Sequence, residues 1–205
     1  DSPFRNYFNI PELPDQVLAL QEASRLTYRR VLQIDKEQVY AHYNLGLAAF
    51  KRKDYKLAVE RLNMALMVDP TRYEIYRYLA QCFINLEDYL RAQSATDKYL
   101  EKMIYQQIMS ITSSSEERKK YSLILECLER GNYLQAARLA QQELAWQSEE
   151  LNNLYLKIAT ELAKDKNRQE SAREALDKAV WMLKSPPGQN LLFYAKVYEQ
   201  LGDLE

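Results

Sequence analysis

Residues 39–70 read VYAHYNLGLAAFKRKDYKLAVERLNMALMVDP, and this stretch decides the fold. Its pattern recurs in residues 73–106 at a fixed offset of 34 positions. The matching positions are Leu45-Gly46 with Leu79-Ala80, Asp54-Tyr55 with Asp88-Tyr89, Ala58 with Ala92, and Leu66 with Leu100. A repeat of this length is typical of stacked helical units and not of a globular enzyme core.

The composition indicates an all-α protein. Of the 205 residues 47% are hydrophobic, which is enough to bury a core, but only 4 are glycine and 6 are proline. Tight turns between strands would need more of both. The net charge of −1 lacks the basic excess with which nucleic-acid-binding proteins neutralise phosphates. No apolar run approaches the ~20 residues that cross a bilayer. We therefore expect no nucleic-acid partner and no membrane insertion.

The chain divides by sequence into four predicted parts. Residues 1–38 are expected to form an extended lead-in and a degenerate N-terminal capping helix. Residues 39–110 contain two well-formed units of paired helices. After an insertion around 103–115, residues 111–187 form two divergent units. Residues 188–205 supply the first helix of a further unit or a C-terminal cap.

The chain ends and the cysteines give weaker indications of origin. The first residue is Asp1 and not Met, so we expect a processed or excised piece of a protein that continues beyond Glu205, unless a single helix caps the stack. Cys82 and Cys127 are too few for a disulfide framework and are expected to be buried, reduced thiols. This favours the cytoplasm and leaves the periplasm open.

The units resemble the tetratricopeptide repeat (TPR), a family in which each unit is a pair of helices. In residues 39–70 the matching residues are Leu45, Gly46, Tyr55, Ala58, Leu62, Ala65 and Pro70. Looser matches follow at Tyr76, Leu79, Ala80, Phe83, Tyr89 and Ala92, then at Leu123, Gly131, Tyr133 and Ala136, and then at Ile158, Ala159, Ala172, Leu176 and Ala179. The resemblance covers residues 39–204. It implies an all-α fold, a right-handed superhelical solenoid of antiparallel helix pairs, with about four pairs plus a terminal helix.

Small residues at the repeated positions have a packing role in this interpretation. Gly46 and Ala80 let the first helix of a pair approach the second, and Ala58 and Ala92 do the same from the opposite side. A tyrosine such as Tyr55 is expected to fill the turn between the paired helices.

The resemblance also implies where a partner would bind. First helices of successive TPR pairs line a concave groove that accepts an extended peptide or a helix. By this geometry the predicted groove residues are Tyr40, Tyr43, Asn44, Leu47, Phe50, Lys51, Arg77, Tyr78, Gln81, Ile84, Asn85, Tyr121 and Leu125. Aromatic anchors beside a few hydrogen-bonding groups suit a protein segment. The alternative is that half of these rings pack on the lead-in or on the insertion.

Residues that could carry catalysis are scarce. The chain has a single histidine, His42, which stands where the family keeps a packing aromatic residue. The cysteines form no CxxC pair, and no glycine-rich phosphate loop or nucleophile-elbow motif occurs. We therefore expect no catalytic, metal or cofactor site.

Three functions follow as hypotheses. The first is a non-enzymatic scaffold or adaptor that binds a protein partner within a larger assembly. The second is a structural protein that assembles into homo-oligomers through the insertion or the C-terminal helix. The third is the targeting module of a larger enzyme.

Overall fold

A computed structural model describes residues 39–183 and 188–202, together with residues 23, 26 and 27. These residues form helices with no β-strand among them, so the all-α prediction is confirmed for this part of the chain. The helices are α1 Val39–Lys51, α2 Tyr55–Val68, α3 Glu74–Asn85, α4 Tyr89–Ile111, α5 Ser115–Lys119, α6 Ser122–Glu129, α7 Tyr133–Leu144, α8 Glu149–Leu162, α9 Gln169–Trp181 and α10 Gly188–Gln200. The predicted lead-in and capping helix of residues 1–38 lie outside the described residues, apart from the three positions named above.

Contacts divide the chain into two compact units, Asp1–Thr71 and Arg72–Glu205. In the first unit α1 packs on α2. In the second unit the pairs are α3 with α4, α6 with α7, and α8 with α9, and α10 packs on both α8 and α9. The predicted parts at 39–110 and 111–187 follow the repeats instead, so they divide the chain at another place.

The hairpin of α1 and α2 depends on the absence of a side chain at Gly46. A Cβ built there would lie 2.8 Å from both Cγ and Cδ2 of Leu62 and 3.3 Å from its backbone nitrogen. Leu62 itself is fully buried. The helices can therefore approach this closely only because position 46 carries no Cβ.

Alanines continue this close packing, as the sequence predicts. The buried small residues include Ala58, Ala65, Ala80, Ala92, Ala136, Ala159, Ala172 and Ala179. Leu123 does not follow the pattern, because it is 51% exposed while its neighbour Ile124 is fully buried. The predicted packing role of Leu123 is thus wrong. Helix α6 buries the face formed by Ile124, Cys127 and Leu128, and Leu123 lies outside it.

Three hairpin turns have one backbone design, in which a residue with positive φ precedes the cap of the second helix. The φ angles are 61° at Lys53, 59° at Glu87 and 73° at Gly131. The nitrogen of the following residue then donates to the carbonyl oxygen five residues back, as in a Schellman motif. These bonds are Asp54 N to Ala49 O, Asp88 N to Phe83 O and Asn132 N to Cys127 O, at 2.9, 2.9 and 2.8 Å.

The residue after each positive φ caps the next helix with its side chain. Asp54, Asp88 and Asn132 accept from the backbone nitrogens of Leu57, Arg91 and Gln135 respectively. The cap satisfies an amide that the helix leaves unpaired at its first turn. The repeat in the amino-acid sequence is therefore also a repeat in backbone conformation.

Packing in the second unit departs from a simple succession of pairs. In a solenoid each unit contacts only its neighbours along the chain. Here α8, from the third pair of this unit, packs on α4 and α3 of the first pair, while α7 packs on α4 and α9. Helix α4 is long enough for this, because it continues for 23 residues and buries Ile104 and Ile108 in its extension.

Gly46→Leu should destabilise the first unit through overpacking against Leu62. We expect a loss of about 1–3 kcal/mol in the free energy of unfolding, measured by urea denaturation. Combining Gly46→Leu with Leu62→Ala makes room, so the double variant should be more stable than the sum of the two single effects predicts. Additive effects would contradict the close approach.

Lys53→Gly and Glu87→Gly should each stabilise the protein, because glycine adopts positive φ without the steric cost that a Cβ imposes. The expected gain is about 1 kcal/mol per site in thermal or urea unfolding. Lys56→Gly, at an exposed position inside α2, is the matched control and should lose about 1 kcal/mol. A loss at all three sites would show that the turn conformation is not the deciding factor.

Candidate functional site

Helix α1 separates into a buried face and an unburied face. Its buried side chains are Ala41, His42, Leu45, Ala48 and Ala49, with Gly46 between them. At 100° per residue the remaining positions fall within an arc of about 120° on the other side. This arc contains every α1 residue that the sequence places in a groove: Tyr40, Tyr43, Asn44, Leu47, Phe50 and Lys51.

The unburied face of α1 combines apolar and polar groups. Tyr40 is 56% exposed, Lys51 is also exposed, and the other four side chains are half-buried. Phe50 packs edge-to-face on Tyr55 of α2, with ring centroids 5.8 Å apart. We name this set of six residues the α1 face.

Helix α3 presents the second predicted group of residues, in the second unit. Arg77, Tyr78 and Gln81 are half-buried, and Asn85 is exposed, with its Nδ2 donating to the Gln81 carbonyl oxygen at 2.7 Å. Ile84 is only 5% exposed. Its predicted groove role is therefore wrong, because it lies one turn after Ala80 on the buried side of the helix.

Arg77 already has partners within the chain. Its Nη1 donates to Oε1 of Glu150 on α8 at 2.9 Å, and its Nη2 donates to the Tyr78 hydroxyl at 2.8 Å. The other oxygen of Glu150 accepts from the Tyr99 hydroxyl at 2.9 Å. Burial raises the pKa of Tyr99, and the Glu150 carboxylate adds to this effect. The Arg77 charge thus joins α3 to α8 before any ligand is considered.

The last predicted residues lie at and beside α6. Tyr121 precedes the helix, where it occupies the capping position, and Leu125 lies within it; both side chains are half-buried. Helix α6 has only eight residues, so it offers a smaller face than α1 or α3.

Groups that could carry chemistry are enclosed in the core. His42 is 3% exposed, Cys82 is fully buried, and Cys127 is 8% exposed; both cysteines are free thiols, as predicted. Burial raises the pKa of Cys82 to about 12. Over residues 39–183 and 188–202 no group of three or more His, Cys, Asp or Glu side chains is arranged to hold a metal ion.

Comparison with known proteins adds no family. No protein-family model matches the chain, and no curated protein is significantly similar to it. Within the described part of the chain, no helix has both the length and the apolar character required to cross a membrane. The functional interpretation therefore rests on the residues themselves.

A buried ionic cluster in the second unit was not predicted from the sequence. Lys178 of α9 is 1% exposed, and its Nζ donates to Oδ1 of Asp97 on α4 at 2.8 Å and to Oε1 of Glu174 at 2.7 Å. Oδ1 of Asp97 also accepts from the hydroxyl of Tyr155 on α8 at 2.6 Å. Nζ lies 5.5 Å from the ring centroid of Tyr133 on α7. We name these five residues the Lys178 cluster.

The cluster could not be recognised from the spacing of its residues in the sequence. Glu174 and Lys178 stand at i and i+4, which is typical of an exposed pair on a helix surface. Burial raises the pKa of Asp97, although the hydrogen bonds and charge of Lys178 and the Tyr155 hydroxyl favour its carboxylate. Only the packing of α4, α7, α8 and α9 brings Asp97, Tyr155 and Lys178 together in the core, while the Glu174 side chain stays 53% exposed.

Helix α10 has an apolar surface that neighbouring described helices leave uncovered. Its buried side chains are Tyr194 and Val197, and Leu201, which follows the helix, is also buried. Asn152 Nδ2 donates to the Tyr194 hydroxyl and, at 2.8 Å, to the Ala179 carbonyl oxygen. Outside this buried face three consecutive large residues, spread over about 200° of the helix, are more than half exposed, with values of 53% for Leu191, 66% for Leu192 and 52% for Phe193. We name these three the α10 patch.

Cys82 should resist alkylation in the folded protein, because its thiol is fully buried and its raised pKa leaves almost no thiolate at pH 8. Mass spectrometry after brief iodoacetamide treatment should find Cys82 unmodified in buffer and modified in denaturing urea. Equal modification in both conditions would contradict the buried position.

Proposed function

We propose that the chain is a non-enzymatic scaffold that binds a protein partner, either an extended peptide or a helix, through the α1 face. The observation that supports this most directly is the division of α1. All six α1 residues that the TPR resemblance assigns to a groove fall on its unburied side.

The chemistry of the α1 face suits a protein segment. Tyr40, Tyr43 and Leu47 offer apolar contact area with little conformational entropy to lose, and aromatic residues are enriched at binding hot spots. Asn44 adds an amide group that can donate to and accept from the backbone of a bound segment.

We also propose that the hairpins are TPR-type units. The 34-residue offset, the common turn at Lys53 and Glu87, and the Gly46–Leu62 contact support this assignment. A regular solenoid along the whole chain remains a prediction, since the packing of α8 on α4 is not the neighbour-to-neighbour order of such a stack.

Site-specific photo-crosslinking tests the scaffold proposal. A benzophenone amino acid placed at Tyr40 should crosslink a protein partner in an extract from the source organism. The same amino acid placed at Met67, which is 83% exposed on α2, is the control for non-specific crosslinking. Tyr43→Ala combined with Leu47→Ala should reduce the Tyr40 crosslink at least tenfold, because it removes two apolar anchors.

A weaker crosslink supports binding at the α1 face only if the Tyr43→Ala/Leu47→Ala variant remains folded. The Tyr43→Ala/Leu47→Ala variant should keep a cooperative thermal transition, since both side chains are only half-buried. An unchanged crosslink in this folded variant, or equal crosslinks from Tyr40 and Met67, would contradict binding at the α1 face.

Self-assembly is the second candidate, and the α10 patch favours it. Leu191, Leu192 and Phe193 place three exposed apolar side chains within one helical turn, and exposed apolar area is a feature of association surfaces. In the same crosslinking experiment a benzophenone at Phe193 distinguishes the two functions. A product of twice the mass of the chain supports self-assembly, whereas its absence from purified protein at high concentration is evidence against it.

A further inference from the structure

The buried charges of the Lys178 cluster hold helices together at a large cost in desolvation free energy. Removing an ammonium and a carboxylate from water carries a large desolvation cost, which their mutual attraction offsets only when the geometry is good. Lys178 is 1% exposed and the Asp97 side chain 14% exposed, so little of this cost is recovered from solvent. Apolar side chains of similar size would pack at these positions without it.

The small side chains of α9 do not by themselves define a unique arrangement. Helix α9 contributes Ala172, Ala175 and Ala179 to the core. Small apolar side chains attract one another without directional preference. A shift of α9 by one helical turn, about 5.4 Å, would place Ala175 and Ala179 where Ala172 and Ala175 stand.

The ionic cluster distinguishes between such arrangements. Asp97 accepts from both Lys178 and Tyr155 only if α9 and α8 meet α4 at this turn. At any other turn the buried Asp97 carboxylate would lose both of its donors, while Lys178 would keep only Glu174 of its own helix. A single polar residue in an apolar interface fixes the register of coiled coils in the same way.

We propose that the Lys178 cluster is a register lock: it selects the pair α8–α9 as the partner of α4, and the turn at which they meet, without adding net stability. The packing of α8 on α4 is the departure from sequential stacking described above. The lock accounts for that departure, because its members come from α4, α7, α8 and α9.

The Arg77–Glu150 pair provides a matched comparison. It also joins the first and third pairs of the second unit, but its side chains are 31% and 36% exposed. Water can solvate these charges when they separate, so this pair imposes a much weaker penalty on other registers.

The test replaces the charges by apolar groups of similar shape. The lock variant is Asp97→Leu/Tyr155→Phe/Lys178→Met, the broken variant is Lys178→Met alone, and the control is Arg77→Met/Glu150→Gln. Urea unfolding measures stability. Double electron–electron resonance measures the distance distribution between α4 and α8, with spin labels at Ser94→Cys and Lys157→Cys, both of which are exposed positions. All proteins carry Cys82→Ala and Cys127→Ala.

The register lock predicts three results. The broken variant unfolds at lower urea, because Asp97 stays buried beside an apolar side chain. The lock variant unfolds at or above the urea midpoint of the parent, yet its α4–α8 distance distribution broadens or splits. The control keeps the single narrow distance of the parent.

Two results would overturn the proposal. A lock variant as unstable as the broken variant would show that the cluster supplies net stability. A lock variant that is stable and retains the parent's narrow distance would show that apolar packing alone determines the register.

Discussion

Close approach between helices is the constraint on which the structure depends. At Gly46 the facing side chain of Leu62 already occupies the space that a Cβ would need. The second unit meets the same requirement with fully buried alanines such as Ala80 and Ala92. Each small residue buries little apolar area, so the stability comes from larger neighbours such as Leu100 and from dispersion between closely spaced backbones.

Features that depend on local spacing could be predicted from the sequence. The bounds of α1, α2, α3 and α4 follow from period, caps and breakers, which act within a few residues. The unburied face of α1 follows from helical periodicity alone, because Tyr40, Tyr43 and Leu47 recur at its spacing. The turn at Gly131 also depends on local sequence, because it needs a residue that adopts positive φ.

Features that depend on which helix meets which could not be predicted in this way. Asp97 and Lys178 are separated by 81 positions, and Arg77 and Glu150 by 73. Neither pair can be found from the period, since the repeat predicts contacts with the next unit and not with the one after it. The errors at Ile84 and Leu123 have the same origin, because burial at the edge of a helical face depends on the helix that covers it.

Long separation along the chain has a consequence for biosynthesis. When Asp97 emerges from the ribosome, the ammonium group that neutralises it in the native state lies 81 residues downstream and has not been made. Helix α4 must therefore remain partly hydrated, with its carboxylate in water, until α9 has been translated. Vectorial folding can complete the hairpin of α1 and α2 early, but the second unit cannot form its Asp97–Lys178 contact until α9 has left the ribosome.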